Sequence, residues 1–186
     1  MLIGNKYYIN KEIGKGTFGI IYNGHNKITN DMVAIKVERE RKDNLLTLKH
    51  ESRILHTLKG LKGVINLRWY GYQAPNYYMV MNLLGITLEK YKNLHEHYMN
   101  KKLIGLSKKK IVSIGTQMLT IIELVHKRNI IHRDIKSENF LFGYDNDPKL
   151  YLIDFGLAKR YKTSNDEHIA YRLLISFVPP LATAIS

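Results

Sequence analysis

The stretch from Ile131 to Asn139 constrains this chain most, because it places several reactive side chains between apolar runs. Asp134 can accept a proton from a hydroxyl group, and Lys136, two residues later, can neutralise charge beside that carboxylate. Asn139 offers an amide oxygen, a hard ligand of the kind that magnesium binds. A polar surface loop with one fortuitous acid is the alternative, but several residue types would then have to fall in register by chance. We therefore interpret the stretch as a catalytic loop.

A glycine-rich run lies near the N-terminus, directly after a strand predicted from Tyr7 to Ile13. Its spacing is G-x-G-x-x-G, and its members are Gly14, Gly16 and Gly19. In dinucleotide-binding turns such glycines open a helix, whereas here the β-branched and aromatic residues from Ile20 to Tyr22 follow them. Asn23 and Gly24 then predict a turn. The run therefore predicts a hairpin whose backbone can close over phosphates, with an ordinary glycine-containing hairpin as the alternative.

The next predicted strand runs from Met32 to Glu38. Because side chains alternate along a strand, Ala34 and Lys36 share one face, and Val33 and Ile35 share the other. A small residue and a lysine on a cleft face suit the roof of an adenine site and a phosphate contact. The alternative is a surface strand with an exposed lysine.

A helix is predicted from Leu45 to Leu58, and its apolar face carries one carboxylate, Glu51. A half-buried acid needs a cation, and Lys36 is the candidate. Alternatively, Glu51 lies at the margin of the apolar stripe and reaches water. We favour the ion pair because the other motifs agree with it.

Further along the chain, the sequence predicts two strands, a hinge and two helices. The strands run from Leu67 to Tyr72 and from Tyr77 to Met81, the hinge from Asn82 to Gly85, and the helices from Thr87 to Tyr98 and from Lys108 to Arg128. The last helix carries apolar residues round most of its circumference, so we expect it to be buried on most sides.

A second acid follows the catalytic loop. Two short strands are predicted from Phe140 to Phe142 and from Leu150 to Ile153, and Asp154-Phe155-Gly156 comes directly after them. Because this tripeptide stands one short hairpin after the catalytic loop, Asp154 is predicted to help Asn139 hold magnesium.

Composition restricts the class of protein. Apolar residues make up 45% of the chain and charged residues 24%, which is typical of a soluble globular domain. The chain has no cysteine, which excludes disulfides and cysteine-ligated zinc. It has no recognisable signal peptide or apolar run of membrane-spanning length, so we expect an intracellular protein, cytoplasmic or nuclear, with no membrane partner.

The net charge is +13, from 29 basic and 16 acidic residues, and this favours acidic partners. A basic nucleic-acid binder is one such alternative. The sequence does not favour it, because no platform of aromatic residues accompanies a basic run.

The motifs occur in the order typical of protein kinases, and the chain from Tyr7 to Arg172 resembles the casein kinase 1 family. The closest segments are Val33-Ala34-Ile35-Lys36-Val37-Glu38, Met79-Val80-Met81-Asn82-Leu83-Leu84-Gly85, Ile131-His132-Arg133-Asp134, Glu138-Asn139-Phe140-Leu141-Phe142-Gly143, and Leu152-Ile153-Asp154-Phe155-Gly156-Leu157-Ala158-Lys159-Arg160-Tyr161. The segment His168-Ile169-Ala170-Tyr171-Arg172 resembles the family's H-I-P-Y-R.

The resemblance implies ATP and Mg²⁺ as cofactors and a set of residues around ATP. By this resemblance, the phosphates are covered by Gly14, Gly16 and Gly19 and bound by Lys36, whose partner is Glu51. The adenine lies between a roof formed by Ile13, Ile21 and Ala34 and a floor formed by Leu141. Met81 lies at the back of the pocket, and Leu83 and Leu84 form the hinge contacts. The resemblance also implies that Asp134 is the catalytic base and that Lys136 steadies the γ-phosphate. Asn139 and Asp154 are the implied magnesium ligands.

Three features depart from the family pattern. The family's acidic hinge residue is Asn82 here, and its K-P-D-N is Lys136-Ser137-Glu138-Asn139. After Arg172 the sequence becomes an apolar segment that resembles nothing in the family. A frameshift, an unspliced intron and a real truncation each explain that change.

We therefore expect an α+β, two-lobed protein kinase fold, with a small lobe over residues 1–81, a hinge over 82–85, a partial large lobe over 86–172 and a divergent tail over 173–186. The expected activity is transfer of the ATP γ-phosphate to serine or threonine hydroxyls of proteins, with acidic or already phosphorylated substrates preferred. The alternative is a non-catalytic ATP-binding fragment.

Overall fold

The computed structural model describes residues 1–16, 19–40, 47–98, 106–162 and 167–169. Its N-terminal half is built on six antiparallel strands: β1 (Leu2–Ile3), β2 (Tyr7–Gly16), β3 (Gly19–Asn26), β4 (Met32–Arg39), β5 (Leu67–Gln73) and β6 (Asn76–Asn82). They lie in the order β1-β2-β3-β4-β6-β5. One helix, α1 (Thr47–Thr57), packs against β5 and β6. The helix was predicted to start two residues earlier, and those two residues lie outside the described part of the chain.

The second half contains helices and small sheets. Its elements are β7 (Leu84–Thr87), α2 (Leu88–Tyr98), α3 (Lys108–His126), β8 (Ile130–Ile131), β9 (Phe140–Gly143), β10 (Leu150–Leu152) and β11 (Lys159–Arg160). One sheet has the order β10-β9-β7, and β11 pairs with β8. This arrangement confirms the predicted α+β fold, with a sheet-rich lobe followed by a helical lobe that is incomplete among the described residues.

The two faces of the large sheet have different partners. One face forms a small core of its own that includes Val33 and Ile35. The opposite face joins a larger core that runs from α1 through β6 into the second lobe and includes Leu48, Met79 and Phe140. The core between the lobes therefore lies on the face of β4 that carries Lys36, as strand alternation predicted.

The prediction of a turn at Asn23 and Gly24 was wrong, because both residues lie within β3. Gly24 pairs with Ile9 on one side and with Val33 on the other. A side-chain carbon at Gly24 would collide with the carbonyl oxygen of Tyr8. The glycine is therefore needed for the close approach of two strands rather than for a turn.

We expect Gly24→Ala to lower the free energy of unfolding by about 1–3 kcal/mol, the usual cost of overpacking a filled site. Gly14→Ala, in the same hairpin, is the matched control, because an added carbon there would meet only the Ile21 side chain, at 3.9 Å. The measurement is the urea midpoint of each variant without nucleotide. Equal midpoints for the two variants would contradict the register between β2 and β3.

The prediction that the helix from Lys108 is buried on most sides was wrong for the chain described here. On α3, Ile114, Ile121 and Val125 are buried, whereas Val112 is 66% and Leu119 70% exposed. Apolar periodicity identifies the residues that can be buried, but whether they are buried depends on neighbours from elsewhere in the chain. Within the described residues, no helix is both long and apolar enough to cross a membrane.

Candidate active site

The cleft between the lobes contains a buried lysine with two carboxylates. Lys36 Nζ lies 2.7 Å from Glu51 Oε2 and 3.4 Å from Asp154 Oδ1. Glu51 is almost completely buried, so the predicted ion pair is present and the alternative of a solvated Glu51 is wrong. Asp154 joins the pair from 118 residues away in the chain. Lys36 thus links β4, α1 and the segment after β10.

Electrostatics keeps Lys36 charged. Burial lowers the pKa of its ammonium group, but the carboxylates of Glu51 and Asp154 outweigh burial and raise that pKa overall. Burial also raises the pKa of the Glu51 carboxyl, while the nearby Lys36 ammonium opposes that rise. Glu51 therefore depends on Lys36 to remain ionised inside the protein.

The catalytic loop predicted from the sequence forms a compact cluster of hydrogen bonds. Lys136 Nζ lies 2.9 Å from Asp134 Oδ2. Asn139 Nδ2 donates to the Asp134 carbonyl oxygen at 2.8 Å and to its Oδ2 at 2.9 Å. Both bonds use the amide nitrogen, so they do not consume the amide oxygen that a magnesium ion would need.

The surroundings of Asp134 favour its anionic form. The hydrogen bond from Lys136 holds the pKa of the Asp134 carboxyl below its usual value, and Asn139 adds to that effect. The same contact raises the pKa of the Lys136 ammonium. At neutral pH Asp134 is therefore a carboxylate, the form that can accept a proton from a hydroxyl group.

His132 holds this loop in place by contacts with two segments of the chain, a role that the sequence analysis did not assign. Its Nε2 lies 2.8 Å from the Ile153 carbonyl oxygen, and its Nδ1 accepts from the Asp134 backbone N–H at 3.3 Å. Its ring packs edge-on against Phe155, with 4.8 Å between centroids. The imidazole thus joins the catalytic loop to the Asp154 segment. The sequence signal that could have indicated this role is the position of His132, two residues before Asp134.

Burial lowers the pKa of His132 below its ordinary value of 6.5. The folded state therefore holds a neutral imidazole, whereas the unfolded chain takes up a proton below about pH 6.5. The contribution of His132 to stability is present above that pH and is lost as the pH falls from there towards the lowered folded pKa.

We expect His132→Asn to be less stable than the parent near pH 7, because it loses ring packing and hydrogen bonds. It should, however, lose less additional stability than the parent between about pH 7 and pH 5. Urea unfolding at several pH values measures the difference. Parallel pH profiles for the two proteins would mean that His132 is not held neutral in the fold.

The two predicted magnesium ligands lie at the same end of the β9–β10 hairpin. The Ile153 backbone N–H donates to the Asn139 carbonyl oxygen at 3.0 Å, and Asp154 follows directly. Asp154 has φ = 60° and a side chain that is 37% exposed. A non-glycine residue in this left-handed region is uncommon, and such residues cluster at functional sites.

A carboxylate and an amide oxygen at one end of a hairpin fit magnesium, which uses few protein ligands and completes its shell with phosphate and water oxygens. Among the described residues there is no cluster of three or more His, Asp or Glu side chains that could hold a metal alone. The donor set thus fits a metal that arrives with a phosphate ligand.

Several other residues predicted around ATP lie on neighbouring strands of the large sheet. Gly14 pairs with Ile21, and Ile21 pairs with Lys36 in the adjacent strand. Ala34 pairs with Met81, and both are buried. Ile13 is half exposed at 50%. The ends of the glycine run, Gly16 and Gly19, pair with each other, while residues 17 and 18 lie outside the described part.

In the segment predicted as the hinge, Asn82 ends β6, Leu83 lies between the strands, and Leu84 and Gly85 belong to β7. Leu84 pairs with Gly143, and Thr87 pairs with Leu141, the predicted adenine floor. β7 therefore connects the first lobe directly to the sheet that contains β9.

Asn82, which replaces the family's acidic hinge residue, has a partner of its own. Its Oδ1 accepts from Arg68 Nε at 2.7 Å, and Arg68 also pairs with Asp31 at 3.1 Å. The side chain is thereby held towards β5, and the sequence analysis did not foresee this contact.

The tail predicted over residues 173–186 lies outside the described residues, as do the last three residues of the segment that resembles H-I-P-Y-R. In a comparison with known families, the model described as the protein kinase domain matches residues 7–180 of the chain. The match starts at Tyr7, where the resemblance was expected to start, and extends eight residues past Arg172, where it was expected to end.

Proposed function

This chain belongs to the protein kinase family, and we propose that within that family it is an ATP-dependent serine/threonine kinase similar to the casein kinase 1 family. The observation that carries the proposal is the arrangement of charges in the cleft. Asp134 and Lys136 form one pair, 2.9 Å apart, and Lys36, Glu51 and Asp154 form a second cluster. Asn139 and Asp154 together provide oxygen ligands for a metal that accompanies phosphate.

In the proposed reaction, the substrate hydroxyl oxygen forms a bond to the γ-phosphorus of ATP. The bond from that phosphorus to the β–γ bridging oxygen breaks, and ADP leaves. Asp134, which is ionised, accepts the hydroxyl proton, and Lys136 neutralises charge on the transferring group. Lys36 binds the α- and β-phosphates. Magnesium, when bound by Asn139 and Asp154, would neutralise phosphate charge.

The preference for acidic or already phosphorylated substrates is part of the proposal. It rests on the resemblance and on the net charge of +13, which favours negatively charged partners. Serine or threonine as the acceptor rests on the resemblance of the catalytic loop. The division into a small lobe up to residue 81 and a hinge from residue 82 belongs to the same proposal.

The alternative is a kinase-like fragment that binds ATP without transferring phosphate. The exposed apolar residues of α3 favour it, because Val112 and Leu119 are largely in contact with solvent. Purified chain, casein and radiolabelled Mg-ATP distinguish the two possibilities. We expect label on casein serine or threonine. ATP binding without label would support the fragment, and failure to bind ATP would contradict both.

A further inference from the structure

Glu38 is a buried acid on β4, two residues after Lys36. It is only 4% exposed. Its Oε2 accepts from the Leu48 backbone N–H at 2.8 Å, and its Oε1 accepts from the Thr47 hydroxyl at 2.9 Å and from the Thr47 backbone N–H at 3.4 Å. A buried acid is stable only when such partners replace the water that it has lost. Both carboxyl oxygens are therefore used at the first turn of α1.

This contact satisfies backbone donors that α1 cannot satisfy by itself. The N–H groups in the first turn of a helix have no acceptor within the helix, and that end carries partial positive charge, so a carboxyl group is favoured there. Capping side chains usually come from the residue directly before the helix. Glu38 instead comes from a strand, nine residues before Thr47. The contact thus attaches α1 to β4 as well as stabilising the helix.

A second link joins the same two elements, because Lys36 on β4 pairs with Glu51 on α1 at 2.7 Å. Lys36 and Glu38 lie about 7 Å apart along one face of the strand. Thr47 and Glu51 lie about 6 Å apart along one face of the helix. Since the two spacings nearly match, both links can form together. One link alone would let α1 pivot about it, whereas two links fix the direction and the rotation of α1 relative to β4.

Apolar packing determines the position of α1 less sharply than these links do. Leu48 and Leu55 are buried on the helix, but burial is non-directional and favours any orientation that covers them. The ion pair of Lys36 and Glu51 is more demanding, because a hydrogen bond is lost once its atoms move apart by about 1 Å. A directional contact at the start of the helix therefore protects the pair from small rotations.

We propose that Glu38 is a positioning residue that holds α1 in the orientation in which Glu51 meets Lys36, and that it thereby supports ATP binding. The second part rests on the proposed function, which assigns the α- and β-phosphates to Lys36. The first part concerns the orientation of α1 and does not depend on nucleotide. Glu38 acts only through the ion pair and has no assigned contact with ATP.

Spin labels on the full chain, which has no native cysteine, measure the position of α1. Lys49→Cys on α1 and Ile28→Cys in the turn before β4 replace two exposed residues, and pulsed electron paramagnetic resonance gives the distance between their labels. The test variant, Glu38→Gln, keeps the length of the side chain but places an amide NH₂ opposite backbone N–H donors. Glu40→Gln is the matched control, because Glu40 is exposed directly after β4 and contacts Tyr72.

In Glu38→Gln we expect a label distance that is displaced or broadened relative to the parent. We also expect the Kd for Mg-ATP to rise about tenfold, which corresponds to about one molecule in ten with α1 in place. Thr47→Val keeps the backbone N–H but loses the hydroxyl donor, so it should cause a smaller change in the same direction, and Thr47→Ser should restore both values. Circular dichroism verifies that each variant is folded.

A cap that only stabilises the helix would lower the urea midpoint and leave the label distance and the Kd unchanged, and this result would overturn the proposal. Equal changes in Glu38→Gln and Glu40→Gln would overturn it too, as would a displaced helix with parent ATP affinity. A parent chain that does not bind Mg-ATP would contradict the proposed function instead. The label distances would then decide the role of Glu38 by themselves.

Discussion

Asp134→Asn is expected to reduce phosphoryl transfer to casein at least about a hundredfold, the usual contribution of a positioned proton acceptor. Asparagine keeps the shape of the side chain, and its amide oxygen can still accept the bond from Asn139. It cannot take up the proton of a substrate hydroxyl, and it removes the ion pair with Lys136. The change is thus confined to charge and basicity.

ATP affinity should be nearly unchanged in this variant, because phosphate binding is assigned to Lys36 and the glycine run. Equilibrium binding of a fluorescent ATP analogue and transfer of labelled phosphate measure the two effects separately. Asp145→Asn, in an exposed turn after β9, is the matched control and should leave both unchanged. Casein phosphorylation at the parent rate by Asp134→Asn would refute the assigned role.

Lys36→Met is expected to weaken ATP binding and remove any turnover. It should also destabilise the fold by about 3–5 kcal/mol, because a buried carboxylate is left without its cation. Lys36 has a side chain that is only 11% exposed, and that of Glu51 is 3% exposed, so water cannot replace the missing partner. Part of the penalty is relieved when Glu51 takes up a proton.

The double variant Lys36→Met/Glu51→Met separates stability from function. Replacing both members of a buried ion pair by apolar residues is often neutral for stability, so this variant should recover most of the lost unfolding free energy. It should not recover ATP binding, since the phosphate contact is still missing. Urea unfolding and nucleotide titration provide the two readouts. Recovery of ATP binding together with stability would mean that Lys36 has a structural role alone.

The core of the candidate site could be predicted from local pattern. Alternation along β4 placed Lys36 on the cleft face, and the position of Glu51 on an apolar helix face required a cation. Asp134 and Asn139 come together because both lie within one loop, only five residues apart. Each inference needed only residues near in sequence and a rule about burial or hydrogen bonding.

Other features of the structure could not be predicted from local sequence pattern. Gly24 was read as a turn residue because it follows an asparagine, yet the approach of the Tyr8 backbone explains it. Asn82 was noted only as a departure from a family pattern, and its bond to Arg68 depends on how β5 pairs with β6. The bridging position of His132, which links Asp134 to Ile153, likewise requires two separate segments to meet.

The sequence by itself determined the types of element, the order of the motifs and the chemistry available at each, because these follow from side-chain periodicity and spacing over short distances. Tertiary structure alone decided which distant groups meet and which surfaces remain exposed. Asp154 reaches Lys36 only because the hairpin of β9 and β10 folds against the first lobe. Leu119 is as apolar as Leu55, but it is exposed because burial is a property of the neighbours that pack against a residue, and these come from remote parts of the chain.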